Sequence, residues 1–352
     1  MDFDHKHIVV TFLMHLGDVI LTTPFLHVLR KAAPHSHITY VMDEKLKEVM
    51  QYNPNIDTII TVDKKGRHNS IGALRRIGKS IKNVVGRPVD IVINLHPNER
   101  TSFLAYEIGA AYTTGMSHFL FRPFMSKYTR LDRKTRHAAD MYINVLEQLG
   151  VQDISNKGLE IYSCSQWDEA VRNFYESHGV SDVDTLIGFN VGSAVPEKRW
   201  PKERFAEVAD FFCQKGYKVV FFGGPMDVDM VRDVVNHMNH TPIVATGAFG
   251  LGELAAAIRH CNLFITNDSG PMHVAVSQRV PLVALYGPSN PKFYGPYTNN
   301  CIVLESMDQY EIGKSMKQII KEGKYKGVSV ITKEAVIEAA QTLLQETCNE
   351  DI

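Results

Sequence analysis

Apolar strand-like runs in this sequence end in small polar residues that could bind a ligand. The most informative is 264–275, where an apolar run stops at Asn-Asp-Ser-Gly-Pro and an apolar helix pattern follows. Asp268 or Ser269 could cap that helix, and Pro271 suits its first turn. The free N–H groups and the positive end of the helix dipole would favour a phosphate or sugar hydroxyls. A well-capped helix that binds no ligand would show the same residues. This segment alone is therefore compatible with a ligand site and with ordinary helix capping.

Two further segments repeat the arrangement. The run 8–13 leads into Gly17 and Asp18, and another leads into Gly192 and Ser193. An acid at a helix start can take a proton from a hydroxyl, whereas glycine and serine at a strand end can donate hydrogen bonds to phosphate. Asp18 would repel a pyrophosphate, and Gly-x-Gly-x-x-Gly is missing after this first run, so a dinucleotide dehydrogenase is disfavoured.

The elements around these residues follow an α/β pattern. Strand-like runs alternate with helical periodicity, and the series restarts near residue 186, which predicts two Rossmann-like domains with parallel sheets facing across a cleft. In such sheets ligands bind beyond the carboxyl ends of the strands. The predicted strands are 8–13, 38–42, 59–62, 89–95, 186–191, 217–222, 243–246, 263–266 and 281–286. The predicted helices are 19–31, 102–108, 138–149, 166–178, 202–215, 227–238, 251–259 and 334–344.

These elements predict an N-terminal domain over 1–165, a connecting segment over 166–184 and a C-terminal domain over 185–330. The C-terminal helix within 331–352 could cross back to the first domain.

Composition excludes several classes of protein. The 352 residues are 44% hydrophobic and 22% charged, with a net charge of −1. No apolar run approaches the roughly 18 residues of a membrane span, and the N-terminus lacks the layout of a signal peptide, so a cytoplasmic location is predicted. The five cysteines are widely separated, which predicts thiols rather than a disulfide framework or a zinc site.

The near-zero net charge conceals a basic segment between residues 64 and 136. It contains only Asp90, Glu99, Glu107 and Asp132 as acids, and this imbalance favours an anionic partner. Nucleic acid is disfavoured because no nucleic-acid-binding motif accompanies the segment, and its aromatic residues Phe119, Phe121, Phe124 and Tyr128 are expected to pack a loop. The basic residues are Lys64, Lys65, Arg67, Arg75, Arg76, Lys79, Lys82, Arg87, Arg100, Arg122, Lys127, Arg130, Arg133, Lys134 and Arg136.

Two patterns resemble metal sites without predicting one. Asp227 and Asp229 form an Asp-x-Asp, but both fall where a helix begins and dipole compensation accounts for them. The histidine pairs lack a supporting carboxylate cluster and are interpreted as surface residues. These pairs are His5/His7, His35/His37 and His237/His240.

Four stretches together resemble glycosyltransferase family 9, the lipopolysaccharide heptosyltransferases, which have the two-domain GT-B fold. They span most of the chain in the family's order. They are Leu16-Gly17-Asp18-Val19-Ile20 with Pro24; Lys198-Arg199-Trp200-Pro201 with Glu203, Arg204 and Phe205; Asn267-Asp268-Ser269-Gly270-Pro271-Met272-His273; and Leu285-Tyr286-Gly287-Pro288-Ser289-Asn290-Pro291 with Gly295-Pro296-Tyr297. The resemblance implies transfer of heptose from ADP-heptose to an inner-core sugar of lipopolysaccharide, with inversion and with neither metal nor cofactor.

The resemblance also implies residue roles. Asp18 corresponds to the family's general base, and Lys198 corresponds to its donor-phosphate lysine. As the sugar leaves ADP, a lysine there would neutralise the growing charge. Gly192 and Ser193 would add donors to the same phosphates. Alternatively, Asp18 is only an acid at the start of a helix, and Lys198 is only a surface lysine.

Asp268 matches the family's donor-binding acid, with Ser269, Gly270 and His273 completing that helix start. His273 could equally be a packed core histidine. Asp227 follows a glycine-rich turn and is either a ribose ligand or an ordinary helix-start acid.

The residues that would bind the acceptor are the least well defined by the sequence. Where the family commonly has a small serine, this chain has Met14-His15-Leu16, which would place the His15 imidazole near the acceptor. A Kdo-bearing lipid at the inner face of the cytoplasmic membrane would suit the basic segment. A nucleotide-sugar epimerase and a non-catalytic sugar-nucleotide-binding protein remain the alternatives. The candidate acceptor residues are His15, Gly17, Arg67, Arg122, Lys127 and Arg130.

Overall fold

The computed structural model describes residues 1–64, 66–68, 70–81, 84, 86–130, 132, 135–307, 316–323, 325 and 327–350. Of the basic segment, Lys65, Lys82, Arg133 and Lys134 lie outside the described residues. The chain divides into two compact units, Met1–Tyr162 and Ser163–Ile352.

The first unit is built on a parallel six-stranded sheet in the order β3-β2-β1-β4-β5-β6. Its strands are β1 His7–Thr11, β2 His37–Asp43, β3 Thr58–Val62, β4 Ile91–Asn94, β5 Tyr112–Gly115 and β6 Lys127–Tyr128. Its helices are α1 Leu16–Ile20, α2 Thr23–Ala32, α3 Lys47–Met50, α4 Ile71–Ile81, α5 Glu99–Ile108 and α6 Ala138–Gln148, with 3₁₀ turns at Glu44–Leu46 and Phe119–Phe124.

The second unit repeats this topology, with a parallel six-stranded sheet in the order β12-β11-β10-β7-β8-β9. Its strands are β7 Leu186–Asn190, β8 Lys218–Phe222, β9 Ile243–Val244, β10 Leu263–Asn267, β11 Leu282–Tyr286 and β12 Cys301–Glu305. Its helices are α7 Ser165–Ser177, α8 Lys202–Gln214, α9 Val228–Val235, α10 Leu251–Ile258, α11 Gly270–Ser277, α12 Pro291–Tyr294, α13 Met316–Lys321 and α14 Lys333–Glu350. Its 3₁₀ turns are Pro196–Lys198, Pro225–Asp227 and Val328–Val330.

The central strands of both sheets are buried along their whole length, which explains why they are continuous apolar runs. Every residue of β1, β4, β7 and β10 is buried. Parallel strands joined by helical crossovers are covered on both faces, so both sets of side chains must be apolar or internally hydrogen-bonded. The predicted parallel α/β organisation is confirmed.

The helix predicted over 19–31 is wrong in one respect, because it is broken into α1 and α2 at Leu21 and Thr22. Pro24 has no N–H with which to bond the carbonyl of Ile20 four residues earlier. The Thr23 hydroxyl donates to that carbonyl instead, at 2.8 Å. The break leaves α1 as a separate short helix that carries Asp18.

The C-terminal helix, for which the sequence left open a return to the first domain, packs in the core of the second unit. Val336, Ala339, Ala340 and Leu343 are buried there with the sheet and with Trp200. The segment predicted as a connection likewise supplies α7, whose Tyr175 hydroxyl donates to the Ala257 carbonyl of the second unit at 2.9 Å. In the described ranges, no helix is both long enough and apolar enough to cross a bilayer.

We expect Leu343→Ala to destabilise the second unit by about 2–5 kcal/mol, because it leaves a cavity in a core where Leu343 is 2% exposed. Both tryptophans of the chain, Trp167 and Trp200, belong to this unit. Tryptophan fluorescence during urea unfolding therefore reports the loss directly. Gln341→Ala, at an exposed position of the same helix, is the control and should change stability by less than about 0.5 kcal/mol. Equal effects of the two substitutions would contradict the packing of this helix.

Candidate active site

In the second unit, the predicted donor residues converge where the strand order reverses. β7 and β10 are neighbours, with Gly192 and Ser193 following one and Asp268 following the other. The Lys198 ammonium lies 2.6 Å from the Asp268 carboxylate, and the two side chains are only 17% and 8% exposed. Such reversal points are where ligands bind in doubly wound sheets. The sequence-predicted lysine and acid therefore form a shielded ion pair at the expected edge.

Backbone and side-chain hydrogen bonds hold this edge together. The Ser193 hydroxyl donates to the Asp268 carbonyl at 3.4 Å. The Asn190 amide donates to the Ser269 hydroxyl at 2.9 Å and to the Gly192 carbonyl at 3.1 Å. Asn190 is 1% exposed, and the bonds that its amide donates fix the two strand ends.

Sequence reasoning assigned no role to the two asparagines that end β7 and β10. The Asn267 amide donates to the Val191 carbonyl at 2.8 Å, and its oxygen accepts from the Trp200 N–H at 3.1 Å. The signal that could have found them is an asparagine as the last residue of an apolar run, since a buried amide there can join adjacent strand ends.

The expected capping of the helix after β10 is wrong in detail. Ser269 is the N-cap residue of α11, but its side chain makes no capping hydrogen bond, and the Asp268 carboxylate pairs with Lys198 instead. Gly270 and the proline after it do occupy the first turn, as predicted. His273 lies on this helix and is 5% exposed. The helix start therefore presents its backbone without a side-chain cap from Ser269.

Asp227 reaches the same edge from β8, the other neighbour of β7. Its carboxylate accepts from the Gly224 N–H at 2.9 Å. A Cβ atom at Gly192 would lie 2.3 Å from the Asp227 Oδ1 atom, so the carboxylate rests against the bare Cα of that glycine. Asp229 instead pairs with Arg232 at 2.5 Å and is 85% exposed. The Asp-x-Asp residues thus have separate local partners.

We expect Gly192→Ala to displace the Asp227 carboxylate, because the two cannot occupy the same space. The substitution should destabilise the second unit by about 1 kcal/mol, because the displaced carboxylate loses its bond to the Gly224 N–H. Gly224→Ala is a matched control beside the same carboxylate, since a Cβ there meets nothing nearer than 3.9 Å. Thermal unfolding of the two variants would test this, and an equal melting temperature for both would contradict the close approach.

In the first unit, Asp18 lies in the first turn of α1 and is half-buried. His15 is the N-cap residue, has no side-chain capping bond and is exposed. Its carbonyl accepts from the Val19 N–H at 3.0 Å. Gly17 and Asp18 therefore follow the carboxyl end of the central strand β1, as predicted, with the imidazole of His15 one turn away.

Lys64 holds the segment that leads into Asp18, and sequence reasoning noted it only as one of many basic residues. Its ammonium pairs with the Asp43 carboxylate at 2.8 Å. It also donates to the carbonyls of Leu13 and Met14, at 3.2 and 3.3 Å. The side chain is 18% exposed. Lys64 is therefore a positioning residue that ties the end of β1 to the end of β2.

The candidate acceptor residues are not gathered into one cluster. Arg67 follows β3 and pairs with Glu44. Arg122, Lys127 and Arg130 lie around β5 and β6, on the other side of β1. With about 4.8 Å between neighbouring strands, the two groups stand roughly 10–15 Å to either side of β1. They share the carboxyl edge of the sheet but not a single pocket.

The interpretation of the N-terminal histidines as surface residues is wrong for His7 and holds for His5 and His35, which are exposed. His7 is fully buried and hydrogen-bonded to the Thr39 hydroxyl at 3.1 Å. Asp4 supplies the carboxylate thought to be missing: among the described residues, ligand atoms of Asp4, His5 and His35 lie within 4.8 Å of one another. The hydrogen bond from His35 lowers the pKa of Asp4 to about 2. These residues precede β1 and β2, so they lie at the opposite edge of the sheet from Asp18.

The family model for glycosyltransferase family 9 (heptosyltransferase) matches residues 75–326. The chain belongs to glycosyltransferase family 9. The resemblance found in the sequence is confirmed, and the protein is a glycosyltransferase of the heptosyltransferase family. Family membership favours the transferase over the epimerase alternative.

Relatives of this family 9 chain match it almost end to end. Lipopolysaccharide heptosyltransferase 3 of Escherichia coli K12 is 27% identical, with 94% of this chain and 96% of the relative covered. A crystal structure of a family 9 glycosyltransferase from Veillonella parvula is 71% identical, with a TM-score of 0.95 and coverage of 98% and 99%. The structure of E. coli ADP-heptose lps heptosyltransferase II is 23% identical, with a TM-score of 0.80 and coverage of 97% and 99%. The expectation of a GT-B fold is confirmed.

Proposed function

We propose that this protein transfers heptose from ADP-heptose to an inner-core sugar of lipopolysaccharide, with inversion at the anomeric carbon and without a bound metal. The observation that carries the proposal is the shielded Lys198–Asp268 pair at the strand-order reversal of the second unit. The names of the family 9 relatives support both substrates, since they include a lipopolysaccharide heptosyltransferase and an ADP-heptose heptosyltransferase.

The second unit binds the donor. Lys198 exchanges its contact with Asp268 for the diphosphate of ADP-heptose, which needs a cation at that point. Asp268 then accepts hydrogen bonds from sugar hydroxyls. Gly192, Ser193 and the start of α11, with Ser269, Gly270 and His273, supply further donors to the phosphates and the sugar. Asp227, the helix-start acid behind Gly192, is the proposed ribose ligand.

The first unit supplies the base and the acceptor contacts. Asp18 takes the proton of an acceptor hydroxyl while that oxygen forms a bond to the anomeric carbon from the face opposite ADP. The bond between the anomeric carbon and the β-phosphate oxygen breaks, and ADP leaves with its electron pair. Displacement from the opposite face inverts the anomeric centre. The basic residues along the carboxyl edge of the sheet attract an anionic acceptor.

Fixed charges account for the proposed independence from metal. The negative charge that grows on ADP is met by the Lys198 ammonium and by the N–H groups at the start of α11. The hydrogen bonds of Asn190 and Asn267 hold the strand ends around these groups, so the backbone there needs little reorganisation during the reaction. Added chelator should therefore leave the rate unchanged.

The test is ADP release from ADP-heptose by the purified protein, without acceptor and with truncated cores ending in Kdo or in heptose, each with and without EDTA. Release that requires one of the acceptors and survives EDTA is the expected result, and it identifies the acceptor class. The anomeric configuration of the product, from its NMR coupling constants, tests inversion. Protein that binds no ADP-heptose would overturn the proposal, and loss of activity in EDTA would overturn its metal-independent form.

A further inference from the structure

The 3₁₀ turn Phe119–Phe124 exposes several large apolar side chains together. Phe119, Leu120 and Phe124 are 63%, 57% and 59% exposed, and Tyr106 on α5, whose ring lies 4.9 Å from that of Phe124, is 46% exposed. We call these four residues the apolar patch. Single exposed apolar residues are ordinary on a protein surface, but a contiguous group marks an interaction site. The sequence-based expectation that Phe119 and Phe124 pack a loop is wrong.

The turn that carries the patch is anchored to α5. Phe121, between the exposed residues, packs its ring 6.1 Å from Phe103 and 6.2 Å from Tyr106. The His118 N–H donates to the Ser102 hydroxyl at 2.8 Å, where the turn begins. Phe121 is half-buried against α5, and its neighbours Phe119, Leu120 and Phe124 point outward. The exposure of the patch is therefore a consequence of how the turn is anchored.

The charges of the segment that carries the patch are all of one sign, and exposed Glu99 of α5, an acid near its start, lies 3.6 Å from the imidazole of His118. The stretch 117–130 contains Arg122, Lys127 and Arg130, each exposed, and neither Asp nor Glu. The Arg122 guanidinium lies 4.4 Å from the centre of the Tyr128 ring, beside the turn. Apolar and aromatic side chains flanked by Arg and Lys are the combination that binds the interface of an anionic bilayer. A symmetric contact with a second copy of this chain would instead bring like charges together.

We propose that the apolar patch inserts into the headgroup region of a bilayer that contains anionic lipids, with Arg122, Lys127 and Arg130 contacting the lipid phosphates. The turn follows the carboxyl end of β5, and α1 with Asp18 follows the carboxyl end of β1 in the same parallel sheet. The turn runs back from that edge along α5, where Phe124 meets Tyr106, so docking here brings the outer β5–β6 side of the first unit to the membrane surface, where the sugars of a lipid-linked acceptor lie. The inference deepens the proposed function, because the acceptor proposed there is a membrane lipid.

The experiment is cosedimentation of the full chain with vesicles of phosphatidylglycerol and phosphatidylethanolamine, compared with phosphatidylcholine alone. We expect binding to the anionic vesicles that weakens with salt. The variant Phe119→Ser/Leu120→Ser/Phe124→Ser should bind at least about tenfold more weakly. Arg122→Gln/Lys127→Gln/Arg130→Gln should reduce binding by on the order of a hundredfold. Val183→Ser/Met226→Ser, at residues 91% and 94% exposed in the second unit, is the matched control and should bind like the wild type.

Failure of this inference is separable from failure of the proposed function. With a water-soluble deacylated acceptor, the Phe119/Leu120/Phe124 variant should transfer heptose at the wild-type rate, while losing transfer to an acceptor embedded in vesicles. The inference would be overturned if the wild-type protein did not bind anionic vesicles. It would also be overturned if the Phe119/Leu120/Phe124 variant bound them as tightly as the wild type. A dimer that this variant dissociates in sedimentation velocity, with vesicle binding unchanged, would assign the patch to self-association. Vesicle binding through the patch without any transfer would refute the proposed function alone.

Discussion

Replacing Asp18 by Asn is expected to lower kcat for heptose transfer by about 10²–10⁴-fold, the usual contribution of a general base. Asparagine keeps the size of the side chain and its place in the first turn of α1, but it cannot accept the proton of the acceptor hydroxyl. The affinity for ADP-heptose should not change, because the proposed donor contacts come from the second unit. Acceptor-dependent ADP release and calorimetric titration of the donor measure the two quantities.

Glu99→Gln is the matched control for Asp18→Asn. Glu99 is also an acid in the first turn of a helix of the first unit, and its side chain is 76% exposed. If Asp18 only offsets the helix dipole, both substitutions should cost less than about 1 kcal/mol of stability and leave kcat unchanged. If Asp18→Asn turned over at the wild-type rate, Asp18 would not be the general base. The alternative of a non-catalytic binding protein would then have to be reconsidered.

Replacing Lys198 by Met is expected to weaken ADP binding by at least about thirtyfold, since losing one partner of a buried charged contact costs 2 kcal/mol or more. It should also destabilise the second unit by about 3 kcal/mol. Asp268 is 8% exposed and would be left as a buried charge with its partner removed. Calorimetric titration with ADP and thermal unfolding would measure the two effects.

A second substitution separates the two roles of Lys198. In Lys198→Met/Asp268→Asn no uncompensated charge remains, so stability should be largely recovered while ADP binding stays weak. Lys202→Met is the control, because Lys202 forms an exposed pair with Asp233 at 3.2 Å and should matter to neither measurement. Normal ADP affinity in Lys198→Met, with stability lost, would show that the lysine serves only to neutralise Asp268.

The alternation of apolar runs with helical periodicity was enough to predict two parallel α/β domains. It failed for β5, β6 and β12, where β6 has two residues and β12 is a half-buried edge strand. The edge strands β6 and β12 are covered less completely, so their sequences lack the continuous apolar run of a central strand, and β5, beside β6, is the short polar sequence Tyr-Thr-Thr-Gly. Helix α4 was missed because the basic residues of its exposed face were interpreted only as part of a charged segment.

The sequence by itself determined which residues stand at the carboxyl ends of the strands, because the end of an apolar run can be read from one segment. It thereby placed Asp18, Ser193 and Asp268 at strand ends. Only the tertiary structure decided which of these ends are neighbours, because strand order depends on how the crossovers wind. That order brings Lys198 to Asp268 and Gly192 to Asp227, buries His7, and leaves Arg67 far from Arg122. The exposure of Phe119 and Phe124 was likewise decided by tertiary packing, since the contact of half-buried Phe121 with α5 determines which aromatic side chains of that turn point outward.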